Sequence, residues 1–219
     1  MPFWSYILIA LAAYLLGSIP TGFLVAKAKG VDIRAAGSGN IGATNAMRVL
    51  GKPAGILVLL ADAAKGFMAC VLAAIYFDCC VPGPDYFDDA YWLLSRRLTL
   101  IAGIFAVLGH NYTCWLKFKG GKGIATTAGV YLALAPLPLG IAFAIFALAL
   151  LATRYMSVAS ISGAVALPAA VWILMPQNLL LGIVTTALGL LAIYRHKANI
   201  QRLIAGTENR IGKKMEGKK

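Results

Sequence analysis

The sequence has few charged residues, and acidic residues are the scarcest of these. Only 13% of its 219 residues are charged, with 8 Asp and Glu against 20 Lys and Arg. Hydrophobic residues make up 60% of the chain, and the mean hydropathy is +0.79. So little polar surface cannot cover a water-soluble globule of this length. The composition therefore excludes an ordinary soluble domain and predicts an integral membrane protein.

Residues that bind metals are also scarce. The four cysteines, Cys70, Cys79, Cys80 and Cys114, have neither CxxC spacing nor histidine partners. We therefore predict no metal site and no cofactor. The sequence shows no soluble domain, long linker or internal repeat, so we predict one membrane domain over residues 1–219.

The hydrophobic residues fall into seven stretches. A helix that spans the hydrocarbon core needs about 20 residues, a length that the first, second and sixth stretches provide. The stretches beside Pro136 and Pro138 are shorter, which predicts two short or tilted helices joined by a proline turn. We predict an all-α polytopic membrane protein with seven transmembrane helices, and six helices are the alternative. The stretches are 3–26, 54–77, 98–113, 124–135, 137–152, 157–175 and 179–194.

The basic residues are distributed unevenly along the chain. All Lys and Arg residues except Lys65, Arg96 and Arg97 lie in segments 26–53 and 114–123, at position 154 and in segment 195–219. The segment 78–95 has no Lys or Arg but contains Asp78, Asp85, Asp88 and Asp89. Because basic loops stay in the cytoplasm, we predict an N-terminus outside and a cytoplasmic C-terminus. The net charge of +12, including Lys213, Lys214, Lys218 and Lys219 of the tail, is then explained by topology and anionic lipid, and nucleic acid is not implied.

Two glycine-rich basic segments are too polar to lie within a span. The first, GSGNIGATNAMR at 37–48, combines glycines with small polar donors and Arg48. Such a loop suits a phosphate or a carboxylate, because glycine lets backbone N–H groups approach an anion and Arg binds it through two parallel hydrogen bonds. The dinucleotide fingerprint is rejected because it needs a preceding strand. A plain glycine-rich turn is the structural alternative.

The second segment, FKGGKG at 118–123, is equally basic. Lys122 stands among Gly120, Gly121 and Gly123, but a nucleotide-binding P-loop would need Ser or Thr after the lysine. A flexible basic hinge is the alternative for this segment alone. The predicted topology places both segments on the same face of the membrane, which favours a phosphate-binding surface there.

Further polar residues are expected on that face. Arg154, Ser157, Ser160 and Ser162 mark the entry of the sixth predicted helix, and Arg195, His196, Asn199 and Arg202 follow the last one. Spacings of three and four residues would place His196 and Asn199 on one helical face, with Arg195, Asn199 and Arg202 on a neighbouring face. Asp62 and Lys65 lie within the second predicted helix, and we interpret them as a mutual pair that fixes helix packing, with a direct role in the chemistry as the alternative.

Several motifs together resemble one family. They are GSIPTG at 17–22, GSGNIGATNAMR at 37–48, GHN at 109–111 with FKGGKGIAT at 118–126, RYMSVASI at 154–161 and RHKANIQRLIAGTE at 195–208. Over nearly the whole chain, the sequence resembles the bacterial acyl-phosphate:glycerol-3-phosphate acyltransferases, the PlsY family. The resemblance implies seven helices, an outward N-terminus and a place in the bacterial inner membrane with a cytoplasmic active site. It also implies transfer of a fatty acyl group from acyl phosphate to the 1-hydroxyl of glycerol 3-phosphate, giving lysophosphatidic acid and phosphate.

The resemblance also implies roles for individual residues. Ser38 and neighbouring amides would hold a substrate phosphate or the reacting carbonyl, Arg48 and Lys122 would bind phosphate, and Ser160, His196 and Asn199 would complete the pocket. His196 could accept the proton of the attacking hydroxyl, although a substrate phosphate could do so instead. The other expected substrate-binding residues are Gly37, Gly39, Asn40, Gly42, Thr44, Asn45, Gly120, Gly121, Gly123, Arg154 and Arg195. The partners implied are the two substrates and membrane lipid, with no obligate protein partner.

One absence bears on the acyl donor. Soluble and eukaryotic counterparts that use acyl-CoA or acyl carrier protein have an H-x-x-x-x-D motif. Here His110 is followed five residues later by Trp115, and His196 by Gln201. This favours acyl phosphate, which is already activated and requires neither a metal nor a covalent enzyme intermediate.

The alternative functional classes are a transporter and a CDP-alcohol phosphotransferase. A phosphate or glycerol phosphate transporter often has paired repeats and broken helices near the bilayer midplane, whereas the polar motifs here fall at one surface. A CDP-alcohol phosphotransferase would need a cluster of metal-binding Asp residues, and Asp32, Asp62, Glu208 and Glu216 are too scattered to form one. An interfacial acyltransferase fits the pattern better than either.

Overall fold

The protein is described by a computed structural model over residues 3–80 and 89–211, with the backbone alone at positions 89 and 90. Within these residues the chain is helical and contains no β-strand. The predictions for Asp85, Asp88, Lys213, Lys214, Lys218 and Lys219 lie outside the described residues. The helices are α1 Phe3–Ser18, α2 Thr21–Ala28, α3 Ala43–Leu50, α4 Lys52–Cys80, α5 Asp89–Asn111, α6 Ile124–Leu134, α7 Pro136–Thr153, α8 Met156–Leu174, α9 Leu179–Arg195 and α10 Lys197–Ile204.

The chain forms two compact units, Met1–Pro136 and Leu137–Lys219. The boundary follows the end of α6 at Leu134, and α7 begins at Pro136. Proline is well suited to the first position of a helix, because it has no N–H to leave unpaired and its φ is already helical. The predicted proline turn between two helices is therefore present.

Five helical segments are long and apolar enough to cross a membrane: Phe3–Ala28, Lys52–Cys80, Tyr91–Leu116, Pro136–Thr153 and Met156–Leu174. The pair Leu179–Arg195 and Lys197–Ile204, bent by 54°, gives a sixth if it counts as one span. The remaining apolar helix, α6, has 11 residues. At about 1.5 Å per residue it is roughly 16 Å long, about half the hydrocarbon thickness. All seven apolar stretches are helical, but a count of seven spans is not confirmed.

The first unit packs its helices through small residues. A core cluster joins α1, α4 and α5 through Ala13, Ala73, Ala102 and other buried side chains around Phe77. Helices α4 and α6 approach so closely at Gly129 that a Cβ there would overlap the carbonyl oxygen of Ala63. Apolar burial adds little between helices in lipid, so close packing of small residues has to hold such helices together.

The second unit is built around α8 and α9. A Cβ at Gly189 of α9 would lie 2.6 Å from the carbonyl oxygen of Ala164 in α8, so these backbones are also close. The indole Nε1 of Trp172 donates to Thr186 Oγ1 at 3.1 Å across the same pair of helices. The bend between α9 and α10 falls where the sequence changes from apolar to charged, and it ends the continuous helix at Arg195.

Candidate active site

The first glycine-rich segment is an ordered loop that leads into α3. Gly37 and Gly39 have φ values of +60° and +70°, a region that side-chain-bearing residues rarely adopt. Asn45 of α3 reaches back into the loop, where its Oδ1 accepts from the backbone N–H of Ser38 at 2.8 Å. Its Nδ2 donates to the carbonyl oxygens of Ile33 and Ala36 at 3.2 and 3.0 Å. Asn45 is buried, so its amide holds the loop shape in this structure.

The backbone amides of this loop are occupied within the loop. The N–H of Ser38 donates to Asn45, that of Gly39 donates to Ala36 O at 3.0 Å, and that of Gly42 donates to Asn40 Oδ1 at 2.9 Å. We expected such amides to bind a substrate anion. The structure instead uses these three to fold the loop, because a tight turn has to pair its own polar backbone.

The second glycine-rich segment folds back onto the end of α5. The N–H groups of Gly120 and Gly121 donate to the carbonyl oxygens of Asn111 and His110 at 3.2 and 3.0 Å. These two amides are therefore also engaged by the protein. Gly123, with φ +83°, turns the chain into α6.

The two loops belong to one part of the first unit. Leu116, in the short 3₁₀ turn Cys114–Leu116 before the second loop, is buried in the same cluster as Ile41 of the first loop and Ile33, which precedes that loop. Ala46 of α3 and Val58 of α4 complete that contact. The two loops therefore share one cluster of the first unit, and their predicted place on one face of the membrane stays a prediction.

Each loop ends at a helix N-terminus. Gly42 precedes α3 and Gly123 precedes α6, and neither helix start has a side-chain cap. The first N–H groups of a helix point outward and carry partial positive charge, which favours a phosphate. Arg48 lies in α3 and Lys122 in the loop before α6, and both side chains are half-buried.

A buried ionic group lies beside the second loop. Lys65 Nζ is 2.8 Å from Asp62 Oδ1, which confirms the predicted mutual pair. Lys65 Nζ also donates to the carbonyl oxygen of Ile19 at 3.0 Å, in the break between α1 and α2. His110, which we had not predicted as a partner, places its Nδ1 3.7 Å from the same Asp62 oxygen.

Two further buried polar side chains stand at this position. The amide of Asn111 and the Oγ1 of Thr126 have no hydrogen-bond partner among the residues that the structure describes. A Cβ at Gly123 would lie 2.8 Å from Asn111 Oδ1, so the amide is directly against the second loop. Asn111 belongs to the GHN motif, but the sequence gave no sign that its side chain is buried.

In the second unit, His196 stands at the bend between α9 and α10. Its Nδ1 is 2.8 Å from the carbonyl oxygen of Ala192, and a carbonyl can only accept, so Nδ1 carries the proton. In the neutral imidazole the basic lone pair is then on Nε2. The predicted helical face over Arg195, Asn199 and Arg202 assumed a continuous helix and is wrong, because Arg195 belongs to α9 and the other two to α10.

Asn199 belongs to a buried network centred on Glu208. Glu208 Oε1 accepts from Ser157 Oγ at 3.0 Å and from Asn199 Nδ2 at 2.8 Å, and Oε2 accepts from Arg202 Nε at 2.6 Å. Burial by itself would raise the pKa of Glu208. The hydrogen bonds from Asn199, Arg202 and Ser157, with the charge of Arg202, outweigh that and hold the pKa below its ordinary value.

Glu208 was not predicted as a site residue. Sequence reasoning treated it as one of a few scattered acids, whereas the fold surrounds it with three donors from α8 and α10. Of the other predicted residues, Ser160 is buried in α8 and Arg195 ends α9. Arg154 is exposed between α7 and α8, with φ +59°, and its carbonyl oxygen accepts from the N–H of Ile211 at 2.8 Å.

Over residues 3–80 and 89–211, no group of three or more His, Cys, Asp and Glu residues is arranged to hold a metal ion. The predicted site residues offer cations, hydroxyls, amides and the His196 imidazole. Such groups bind and orient anions and can stabilise developing negative charge.

Comparison with known proteins shows which family this chain resembles. The profile of the family described as glycerol-3-phosphate acyltransferase matches residues 7–206. A glycerol-3-phosphate acyltransferase of Geobacter metallireducens is 50% identical over 204 residues, which cover 93% of this chain and 96% of that protein.

Solved structures agree with the sequence comparison. The crystal structure of PlsY (YgiH), an integral membrane glycerol 3-phosphate acyltransferase, in its glycerol 3-phosphate form has a TM-score of 0.82 and 38% identity, and covers 95% of this chain and 96% of that chain. Its lysophosphatidic acid form covers the same shares with a TM-score of 0.79 and 38% identity. This agreement decides for an acyltransferase over the transporter and the phosphotransferase. Apolar spans, basic glycine-rich loops and a match over nearly the full length together show that the chain belongs to the glycerol-3-phosphate acyltransferase family.

Proposed function

We propose that the protein transfers a fatty acyl group from acyl phosphate to the 1-hydroxyl of sn-glycerol 3-phosphate. The products are 1-acyl-sn-glycerol 3-phosphate, which is lysophosphatidic acid, and inorganic phosphate. This is the first acylation in bacterial phospholipid synthesis. The enzyme would work in the inner membrane with its active site facing the cytoplasm, where glycerol 3-phosphate is dissolved.

The observation that carries this proposal is the pair of basic glycine-rich loops in the first unit. Both substrates carry a phosphate, and the two segments provide two helix N-termini and two cations, Lys122 just before α6 and Arg48 in the last turn of α3. Ser38 adds a hydroxyl to the first loop. Because several loop amides are used internally, side chains and helix starts would make most of the contacts to phosphate.

The remaining substrate-binding assignments are proposals of the same kind. Gly37, Gly39, Gly42, Gly120, Gly121 and Gly123 would give the loops the shape that lets phosphate approach. Asn40 and Asn45 would act through their hydrogen bonds to the loop backbone, and Thr44 would face substrate from the first turn of α3. Arg154 and Arg195 would add positive charge for anionic substrates.

In the proposed reaction, the 1-hydroxyl oxygen attacks the acyl carbonyl and the bond from carbonyl carbon to phosphate oxygen breaks. His196 Nε2 would accept the hydroxyl proton, since Nδ1 already donates to Ala192 O. Asn199 and Ser160 would orient the substrates, and cationic groups would stabilise the phosphate as it leaves. The phosphate is a good leaving group, so positioning and charge stabilisation would supply most of the rate.

Acyl phosphate as donor is tested with detergent-purified enzyme and labelled glycerol 3-phosphate. Parallel reactions receive palmitoyl phosphate, palmitoyl-CoA or no donor, all with EDTA present. We expect lysophosphatidic acid acylated at the 1-position from palmitoyl phosphate alone. Product from palmitoyl-CoA would overturn the proposed donor, and activity that EDTA abolishes would overturn metal independence.

The role of the second loop is tested with a matched pair of lysines. Lys122→Ala should raise the KM for one phosphate substrate at least about tenfold, because it removes a charged hydrogen bond worth roughly 1.5–3 kcal/mol. Lys119→Ala, at an exposed lysine of the same segment, should change KM little. Equal effects of the two substitutions would mean that Lys122 supplies only general positive charge.

A further inference from the structure

We propose that His110, braced by Asp62 and Lys65, is a positioning residue that sets the second glycine-rich loop in place and with it Lys122. The inference rests on the proposed function in one respect, namely that Lys122 binds substrate phosphate. All the contacts involved lie within the first unit.

The imidazole of His110 lies against the loop itself. A Cβ built on Gly121 would overlap His110 Nε2, so the ring and the Gly121 backbone are already in contact. The carbonyl oxygens of His110 and Asn111 accept from the N–H groups of Gly121 and Gly120 at 3.0 and 3.2 Å. The end of α5 therefore holds the residues immediately before Lys122 both by hydrogen bonds and by the bulk of the ring.

The opposite side of the ring faces a fixed ionic pair. Nδ1 of His110 is 3.7 Å from Asp62 Oδ1, beyond hydrogen-bond length but within electrostatic reach. Lys65 Nζ holds that oxygen at 2.8 Å and is itself held by the carbonyl oxygen of Ile19 at 3.0 Å. A contiguous set of contacts thus runs from the break between α1 and α2 through α4 to the second loop.

These three side chains are buried, with 2–6% of their surfaces exposed, and their polar atoms face other protein groups. Buried charges in a membrane protein are costly and are kept where they serve packing or function. A ring packed between a fixed carboxylate and a glycine limits how far the loop can move. Misplacing a binding group by about 1 Å can cost up to a hundredfold in rate.

The test is a double-mutant cycle on His110 and Gly121. His110→Ala alone should raise the KM for the phosphate substrate held by Lys122 by about tenfold to a hundredfold and leave the other KM near its normal value. Gly121→Ala alone should do the same, because its methyl group displaces the ring. In His110→Ala/Gly121→Ala the methyl group introduced at position 121 occupies the space left by the His110 ring. The second substitution should therefore raise KM much less than it does alone.

A matched control variant and a measurement of thermal stability complete the test. In His110→Ala/Gly140→Ala the effects of the two substitutions on KM should add, since a Cβ at Gly140 meets nothing within 4 Å. Thermal unfolding in detergent, measured on every variant, should show the same non-additivity for His110 with Gly121. Simple additivity in both KM and unfolding temperature would overturn the positioning role, even for variants that are poorly active.

The Lys122→Ala variant distinguishes a failure of this inference from a failure of the proposed function. If Lys122→Ala leaves both KM values unchanged, the proposed phosphate site is wrong. If Lys122→Ala raises one KM and His110→Ala raises neither, the phosphate site stands and the positioning role of His110 fails. The inference is supported when both substitutions raise the same KM and the cycle is non-additive.

Discussion

His196 donates its Nδ1 proton to the carbonyl oxygen of Ala192, which leaves the basic lone pair on Nε2. If Nε2 accepts the hydroxyl proton, His196→Gln should lower kcat by about 10²- to 10⁴-fold. The measurement is kcat and KM at saturating acyl phosphate. Near-normal kcat with only a raised KM would show that a substrate phosphate takes the proton and that His196 orients the substrate.

Thr126 is fully buried, and its hydroxyl has no partner in the part of the chain that the structure describes. Replacing it by Val removes a buried polar group that nothing satisfies, so Thr126→Val should raise the free energy of unfolding by about 1 kcal/mol. Thr113 is the matched control, because its Oγ1 donates to Ser18 O at 2.5 Å.

Thr113→Val should lower the free energy of unfolding by roughly 1–2 kcal/mol, since it leaves a buried carbonyl unpaired. Thermal unfolding in one detergent compares the two variants directly. A loss of stability in Thr126→Val equal to that of Thr113→Val would mean that the Thr126 hydroxyl is satisfied, for instance by a buried water molecule.

At the scale of elements, α4 and α6 are in backbone contact at Gly129. Gly129→Ala should lower the unfolding temperature by several degrees, because the methyl group would overlap Ala63 O and force the helices apart. Gly140→Ala, in α7, should instead raise the free energy of unfolding by about 0.5–1 kcal/mol, because Ala is preferred to Gly within a helix. Similar shifts for both variants would contradict the close approach of α4 and α6.

The Glu208 carboxylate joins α10 to α8 through Asn199, Arg202 and Ser157. Glu208→Gln should lower the free energy of unfolding by about 1–3 kcal/mol near neutral pH, since it removes charge-assisted hydrogen bonds.

The pH dependence of that effect follows from the lowered pKa of Glu208. A group whose pKa falls on folding contributes its full stabilisation of the folded state at pH values above its unfolded pKa, roughly 4.3. This contribution disappears as the pH drops through the folded pKa. The difference in unfolding temperature between wild type and Glu208→Gln should therefore be constant from pH 8 to pH 6 and should shrink below about pH 4. A difference that persists at low pH would rule out the charge as its origin.

For the whole molecule, the distribution of basic residues predicts which face each loop occupies. Cys79 and Cys80 are exposed at the end of α4, on the predicted outer face. A membrane-impermeant maleimide should label them in intact spheroplasts of an expressing bacterium. Gln201→Cys, exposed on α10, should be labelled only after permeabilisation when Cys79, Cys80 and Cys114 are replaced by Ser. The opposite pattern would reverse the predicted orientation and the proposed cytoplasmic active site.

Much of the fold follows from composition and apolar periodicity. Low charge and long apolar runs determine a polytopic helical membrane protein, because a chain in lipid has to satisfy its backbone within helices. The Asp62 and Lys65 pair was also predictable, since residues three apart share a helical face. The sequence also predicts that the two glycine-rich loops form an anion-binding surface, because topology alone does not require glycine or small hydroxyls beside each charge.

Only the tertiary structure decided how those residues are used. The amides of Ser38, Gly39 and Gly42 bond within the first loop. His110 and Glu208 acquire the distant partners Asp62 and Ser157. The bend at His196 separates Arg195 from α10, and α6, with 11 residues, is shorter than a full membrane span. Local sequence determines which segments are helical and apolar. Which buried polar group meets which partner depends on contacts between helices distant in sequence, and local sequence patterns do not reveal those contacts.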